Sequence, residues 1–273
     1  MPELPDLQVI SGNLNKRFKG KSIKEFQIHN PKKINAEIKE YKEAIESKTI
    51  ESIGREGKEI IIKLSDSNYF TLHLMLKGQL KLSENIPNGE LFSLDSKVKD
   101  QIKHKIVKII FDDDQSLALT DFMGQAKATL NPDIPDVPDA MSEKFTADYL
   151  YQIAQKSKKA NIKKVLKNQD IVRGIGNAYV DEILWEARIA PQSIASKIPE
   201  DKFVLIIEKS KMVLENAINE IRKAEPELVS GELRHFLKIH TSKKKESPTG
   251  HAILFVKMNS KKTYYTNEQE LFE

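Results

Sequence analysis

Met1-Pro2-Glu3 opens the chain with residues that can do covalent chemistry. If Met1 is removed, Pro2 carries a free secondary amine. α-Amino groups titrate at about 8, so roughly a tenth is unprotonated at pH 7. Such an amine attacking an aldehyde carbon gives an iminium, charged at any pH and suited to elimination at the next carbon. Glu3 beside it can donate or accept the accompanying proton. Taken alone, the same residues also make an ordinary solvated start.

Two further segments stand out. Gly54-Arg55-Glu56-Gly57-Lys58 reads as a glycine-flanked turn that presents Lys58 at a hairpin tip, or simply a solvated lysine. Residues 162–184, IKKVLKNQDIVRGIGNAYVDEIL, run a basic helix into Gly174-Ile175-Gly176-Asn177 and out into a second helix. Glycines permit close approach, and the amides of the following helix N-terminus suit a phosphate, with Lys163 and Asn177 as added donors. The same tetrapeptide also fits a plain helix–turn–helix corner. A dinucleotide fingerprint fails, because no strand precedes it and a third glycine is missing.

The elements that must position these groups follow from periodicity. Leu7, Ile10, Leu14 and Phe18 fall at helical spacing. Residues 60–64, 69–76, 106–111 and 117–120 read as strands, with Asp112-Asp113-Asp114 as a turn. Three prolines in residues 131–139 mark a linker. Beyond it, residues 146–154, 162–167, 178–187 and 203–224 read as helices, and Pro226 closes the last. Residues 251–258 and 261–265 form a strand pair about Asn259-Ser260. The fold class is α+β with several domains. A β-sandwich with a leading helix occupies 1–130 and a linker 131–142. A helical domain spans 143–225, and a β-hairpin segment 226–273.

Composition narrows the options. With no cysteine there is no disulfide framework, no thiol nucleophile and no thiolate zinc site. The histidines form no metal spacing, and His73 reads as structural, so neither metal nor cofactor is expected. No stretch approaches about 18 apolar residues, and the first residues lack a signal peptide's basic flank and apolar run. A cytoplasmic setting without membrane contact is expected, at the nucleoid in a bacterial cell. The net charge of +4 conceals a division. Residues 156–173 carry seven cations against Asp170 alone, and residues 231–265 carry eight against Glu232 and Glu246. The remaining chain is acidic, so two basic segments on it resemble a polyanion-binding face.

In this order, these motifs resemble the formamidopyrimidine-DNA glycosylase / endonuclease VIII family over nearly the whole chain. MPELPD is close to the family start, and KNQDIVRGIGNAYVDEIL resembles its helix–two-turn–helix signature. The resemblance implies a bifunctional DNA glycosylase/AP lyase of base excision repair, a monomer acting on double-stranded DNA with oxidised or ring-opened bases or abasic sites. It implies Pro2 as nucleophile at C1′, Glu3 as acid/base partner and Lys58 as an aid to base release at a phosphate. Lys163, Gly174, Gly176, Asn177 and Lys261 would hold phosphates. Met75 or Leu76, with Phe122 or Met123, would wedge into the vacated stack.

The chain also departs from the family. Thr266 and Gln269 stand where a zinc-binding Cys pair is usual, which implies a zincless finger held by hydrophobic packing. Lys261 replaces an arginine. The loop Thr120–Gln125 lacks the arginines that read the opposite strand, and residues 236–248 are shorter than in relatives with a long 8-oxoguanine-capping loop. The alternative reading is a non-catalytic binder of damaged or branched DNA on the same scaffold. An RNA-binding role would leave the Pro-Glu start unexplained.

Overall fold

A stripe of apolar residues at helical spacing, Leu7, Ile10, Leu14 and Phe18, is fully buried along α1 (Leu4–Phe18). The computed structural model describes residues 1–83, 104–258 and 260–273. The chain forms two compact units, one of Met1–Pro2, Asp6–Ile134 and Glu225–Glu232, the other of Glu3–Pro5, Pro135–Ala224 and Leu233–Glu273.

The first unit is built on antiparallel strands: β1 (Ile23–Ile28), β2 (Ile50–Glu56), β3 (Glu59–Leu64), β4 (Tyr69–His73), β5 (Gln79–Ser83), β6 (Lys105–Phe111), β7 (Ser116–Thr120) and β8 (Lys127–Leu130), with α2 (Ile38–Ile45) after β1. One sheet has the order β1-β6-β7-β5 and the other β2-β3-β4-β8. Phe26 of β1 meets Phe70 of β4 edge-on at 5.6 Å and stacks on Tyr41 of α2 at 5.7 Å, so aromatic rings fill the space between the sheets. Phe18 stacks on Phe111 at 4.3 Å and seats α1 on the β6 side. This is the expected sandwich with its leading helix.

Two expectations change here. The strand read as running to Leu76 stops at His73, because Met75 takes a left-handed φ of +51° and the Gly78 amide closes a turn on the Leu74 carbonyl at 2.7 Å. The turn before β3 is only Gly57-Lys58; Gly54 and Arg55 lie inside β2, paired with Ile61 and Ile60. Gly57 supplies the left-handed φ of +57° that so short a hairpin needs.

In the second unit, α3 (Ala147–Lys156) and α4 (Ile162–Lys167) start at Thr146 and Asn161, whose side chains accept the Tyr149 and Lys164 amides. α5 (Asn177–Glu186) is buried from Ala178 through Trp185, and the 25-residue α6 (Glu200–Ala224) packs beside it. β9 (Leu254–Met258) and β10 (Lys261–Tyr265) pair antiparallel, with Met258 opposite Lys261. Ser260 takes φ +63° in the turn; Asn259, the other predicted turn residue, lies outside the described residues. Among the described residues, no helix is long and apolar enough to cross a membrane.

The finger is not held by hydrophobic packing alone. Its apolar cluster is small: Trp185, Ile239 and Tyr264, with Ile253 against them. Polar bonds supply the remainder. Gln269 accepts the Thr266 amide at 2.8 Å and donates to the Ile189 carbonyl at 2.8 Å. Glu268 accepts the Thr249 hydroxyl at 2.6 Å, the Thr266 hydroxyl at 3.2 Å and the Arg188 guanidinium at 2.6 Å. A carboxylate hub with its counter-cation thus ties together the turns around Thr249 and Thr266.

Candidate active site

Glu3 is 5% exposed, yet its carboxylate is well supplied with donors. Oε1 accepts the Ala178 amide at 3.1 Å and Oε2 faces the Tyr179 amide at 3.4 Å, both in the first turn of α5. The positive end of the helix dipole therefore falls on a negative side chain. Gly176, next before α5, has an ordinary extended φ of −122°, so it is not there for conformational freedom. It is there for space: a Cβ at that position would lie 2.1 Å from Glu3 Cδ. Gly174 differs, with φ +103° and no room for a Cβ, which would meet Leu4 Cδ1 at 2.5 Å. Its carbonyl accepts the Leu4 amide at 3.3 Å. Gln169 braces the turns from inside, donating to the Lys167 and Ile175 carbonyls at 3.0 and 2.9 Å and accepting the Gly174 amide at 3.0 Å.

This revises the expectation for the two-turn motif. The α5 N-terminus, expected to take a phosphate, instead takes the protein's own carboxylate. The Gly174 amide is likewise committed, to Gln169. Lys163 is also displaced from its expected place. Its ammonium is 3% exposed and donates to Asp181 Oδ1 at 2.7 Å and Thr263 Oγ1 at 2.9 Å, so its charge is spent inside the protein. Burial pushes the Lys163 ammonium below the usual lysine range, against the pull of Asp181.

Sequence reading missed Asp181 and Glu182. Asp181 also accepts the Tyr264 amide at 3.0 Å and bonds His240 Nδ1 at 2.7 Å. Glu182 accepts the amides of Lys238, Ile239 and His240 at 2.8, 2.9 and 2.7 Å. Together they fasten the finger segment to α5. The signal was present: two adjacent carboxylates within the otherwise apolar run from Val180 to Trp185. Of the other expected phosphate contacts, Asn177 donates its amide to the Lys262 carbonyl at 3.1 Å, and Lys261 is exposed at the start of β10.

In the first unit, Pro2 is buried and the Met1 ammonium pairs with Glu232 at 2.7 Å. While Met1 is attached, the Pro2 nitrogen is an amide. Lys58 is half-buried in its turn, which Arg55 holds by donating to the Gly57 carbonyl at 2.9 Å and to Gln8 Oε1 at 3.1 Å. Burial pushes the His73 imidazole below its ordinary range; Glu59 opposes, and Lys127 and Lys58 add to the effect. His73 Nδ1 accepts the Met75 amide at 3.0 Å and so fixes the turn after β4.

The apolar tips lie on loops that flank one end of a sheet, because Gln79 pairs with Thr120. Leu76 is 45% exposed, Phe122 63% and Met123 46%, while Met75 is half-buried. Asp121, also missed in the sequence, clamps the second loop: its carboxylate accepts the amides of Met123, Gln125 and Ala126 at 2.9, 2.7 and 2.8 Å. Phe122 and Met123 are thus held outward by a fixed turn.

Comparison with known proteins agrees over both units. Residues 1–126 match the formamidopyrimidine-DNA glycosylase N-terminal domain and residues 137–225 its H2TH domain. The formamidopyrimidine-DNA glycosylase of Carboxydothermus hydrogenoformans is 33% identical over 204 residues, 74% of this chain and 72% of that one. That of Lactiplantibacillus plantarum is 30% identical over 215 residues, 76% and 74% of the two chains. Among solved structures, the Lactococcus lactis formamidopyrimidine-DNA glycosylase, non-covalently bound to DNA containing an AP site, shares the fold. Its TM-score is 0.80 at 23% identity, covering 98% of this chain and all of that one. A complex of the LlFpg protein with THF-DNA and an inhibitor gives a TM-score of 0.82 at 25% identity, with the same coverage. With relatives of this identity spanning about three quarters of it, the chain belongs to the formamidopyrimidine-DNA glycosylase family.

Proposed function

We propose that this family member is a bifunctional DNA glycosylase and AP lyase that removes oxidised or ring-opened bases from duplex DNA. Pro2, once Met1 is removed, is the nucleophile, Glu3 the acid/base group, and Lys58 a phosphate contact that aids base release. One observation carries the reading: Glu3 is buried on the α5 amides in a recess that exists because Gly176 has no side chain. A carboxylate held so tightly at the peptide neighbour of the nucleophile serves chemistry better than it serves folding. A non-catalytic binder leaves that recess unexplained.

The steps balance with this chain's own groups. The unprotonated Pro2 nitrogen attacks C1′, the glycosidic bond breaks, and the base leaves carrying the amine proton. Glu3 relays a proton from solvent water to O4′ as the C1′–O4′ bond breaks, leaving an iminium at C1′. Its carboxylate then takes the C2′ proton, and the 3′-phosphate departs with its bonding pair. Water hydrolyses the remaining C=N bond and frees Pro2. The target nucleotide leaves the stack for this, and the apolar tips Met75 or Leu76 and Phe122 or Met123 fill the gap. Asn177 and Lys261 face flanking phosphates, while the Gly174–Gly176 segment shapes the Glu3 recess. Lys163 acts behind them, as the residue that holds Asp181 and hence α5 in position. Bacterial relatives support a cytoplasmic setting.

Incision of duplexes that each carry one lesion tests the assignment. Wild-type protein beginning at Pro2 cuts at oxidised or ring-opened bases and at an abasic site. Glu3→Gln lowers cutting at least about 100-fold, the usual worth of a positioned acid/base. Cutting by Glu3→Gln at the wild-type rate would contradict it.

A further inference from the structure

α4 and β10 meet through one side-chain hydrogen bond, and each carries a further lysine on the face that makes it. Lys163 and Lys167 are one helical turn apart and share a face of α4. Thr263 and Lys261 are two residues apart and share a face of β10. Lys163 Nζ donates to Thr263 Oγ1 at 2.9 Å, which sets the helix against the strand. Four residues advance about 6 Å along a helix, and two advance about 6.7 Å along a strand. Lys167 and Lys261 are thus offset from the first pair by similar distances along their own elements.

The alternation of β10 supports this placement. Lys262 points to the other face, where its ammonium lies 4.8 Å from the centre of the Phe255 ring. Asn177 fixes the backbone at the same point by donating to the Lys262 carbonyl. The inner pair of cation and hydroxyl is complete, since Asp181 neutralises Lys163. The outer pair consists of two cations. Lys261 is exposed and Lys167 half-buried, and neither has a carboxylate at ion-pair distance among the described residues.

We propose that Lys167 and Lys261 form a clamp for one backbone phosphate of the bound DNA, with Lys167 taking the contact that the sequence assigned to Lys163. Two ammonium groups brought together by the packing of α4 on β10 repel each other until an anion lies between them. Burial, then the charges of Lys163 and Lys261, push the Lys167 ammonium below the ordinary lysine range, with Asp181 and Glu3 opposing. A phosphodiester removes that conflict. The clamp rests on the DNA-binding part of the proposed function and adds a residue to it.

The test is the salt dependence of binding to a duplex containing a tetrahydrofuran abasic analogue, followed by fluorescence anisotropy. Lys167→Gln and Lys167→Met lower the slope of log Kd against log salt by about 0.9, the contribution of one phosphate contact, and Lys167→Arg restores it. The Met variant keeps the buried stem and so separates charge from packing. A wild-type slope in either neutral variant overturns the clamp. Borohydride trapping by wild-type protein reports the lyase reading separately. Trapping with unchanged slopes removes the clamp alone; changed slopes without trapping remove the lyase reading alone.

Discussion

Gly176 shows how a residue can be legible in type but not in reason. The sequence marks it as a glycine beside a helix start, which suits a phosphate. The contact it serves is with Glu3, more than 170 positions away, and no local pattern encodes that pairing. Gly176→Ala places a Cβ 2.1 Å from Glu3 Cδ and drives the carboxylate off the α5 amides. Strand cutting at an abasic site then falls about 100-fold, close to 2.7 kcal/mol of barrier, as measured by single-turnover incision. His73 gives a second prediction at this scale. Its folded pKa is below its ordinary value, so below pH 6.5 the unfolded chain binds more protons than the folded one. Stability therefore falls as the pH drops from 6.5 through the folded value. Protonation also removes the lone pair that holds the Met75 amide. Urea unfolding at pH 5 and pH 7.5 shows a loss in wild-type protein that is smaller in His73→Gln; equal losses would contradict this.

At the level of elements, α1 is readable from its unbroken apolar period, β3 from its run of isoleucines, α4 from the helical spacing of Ile162, Val165 and Leu166, and β10 from the turn that precedes it. β1 and β2 are not, for a shared reason: the pairing register shifts between Ile23 and Glu25 and between Ile50 and Ser52. Each bulge puts two residues against one and breaks the period of two. α2 is hidden because only Tyr41 and Ile45 turn inward from a charged helix. The loop clamped by Asp121 offers Phe122 and Met123, which can fill a gap in the stack but cannot hydrogen-bond an orphaned base. Incision of one lesion opposite each of the four bases is thus predicted to vary by no more than about threefold. A preference beyond about tenfold would show a polar reader elsewhere.

For the whole molecule, the bland net charge of +4 conceals a functional division. The cations of the two basic segments map to the α3–α4 region and to the finger, all in the second unit. Charge patterning made that much visible. The partner within each basic segment was not, since Lys163 and Lys167 look alike in the sequence and only packing decides which one is buried. The absence of cysteine was visible too, but what replaces the metal was not. Glu268, Arg188, Thr249, Thr266 and Gln269 come from three separate stretches, and their bonds exist only after folding. A polar hub needs no metal. Prolonged dialysis against a chelator is expected to leave both the melting temperature and strand cutting unchanged; a fall in either would contradict the hub.

The proposed chemistry depends most on Pro2 as the nucleophile. Protein whose N-terminus is verified as Pro2 is mixed with an abasic-site duplex, reduced with borohydride and digested with trypsin, and the adduct is located by mass spectrometry. The adduct is expected on the N-terminal peptide that ends at Lys16, attached to the Pro2 nitrogen. No adduct, or an adduct on the peptide containing Lys58 or on any other lysine, would contradict it.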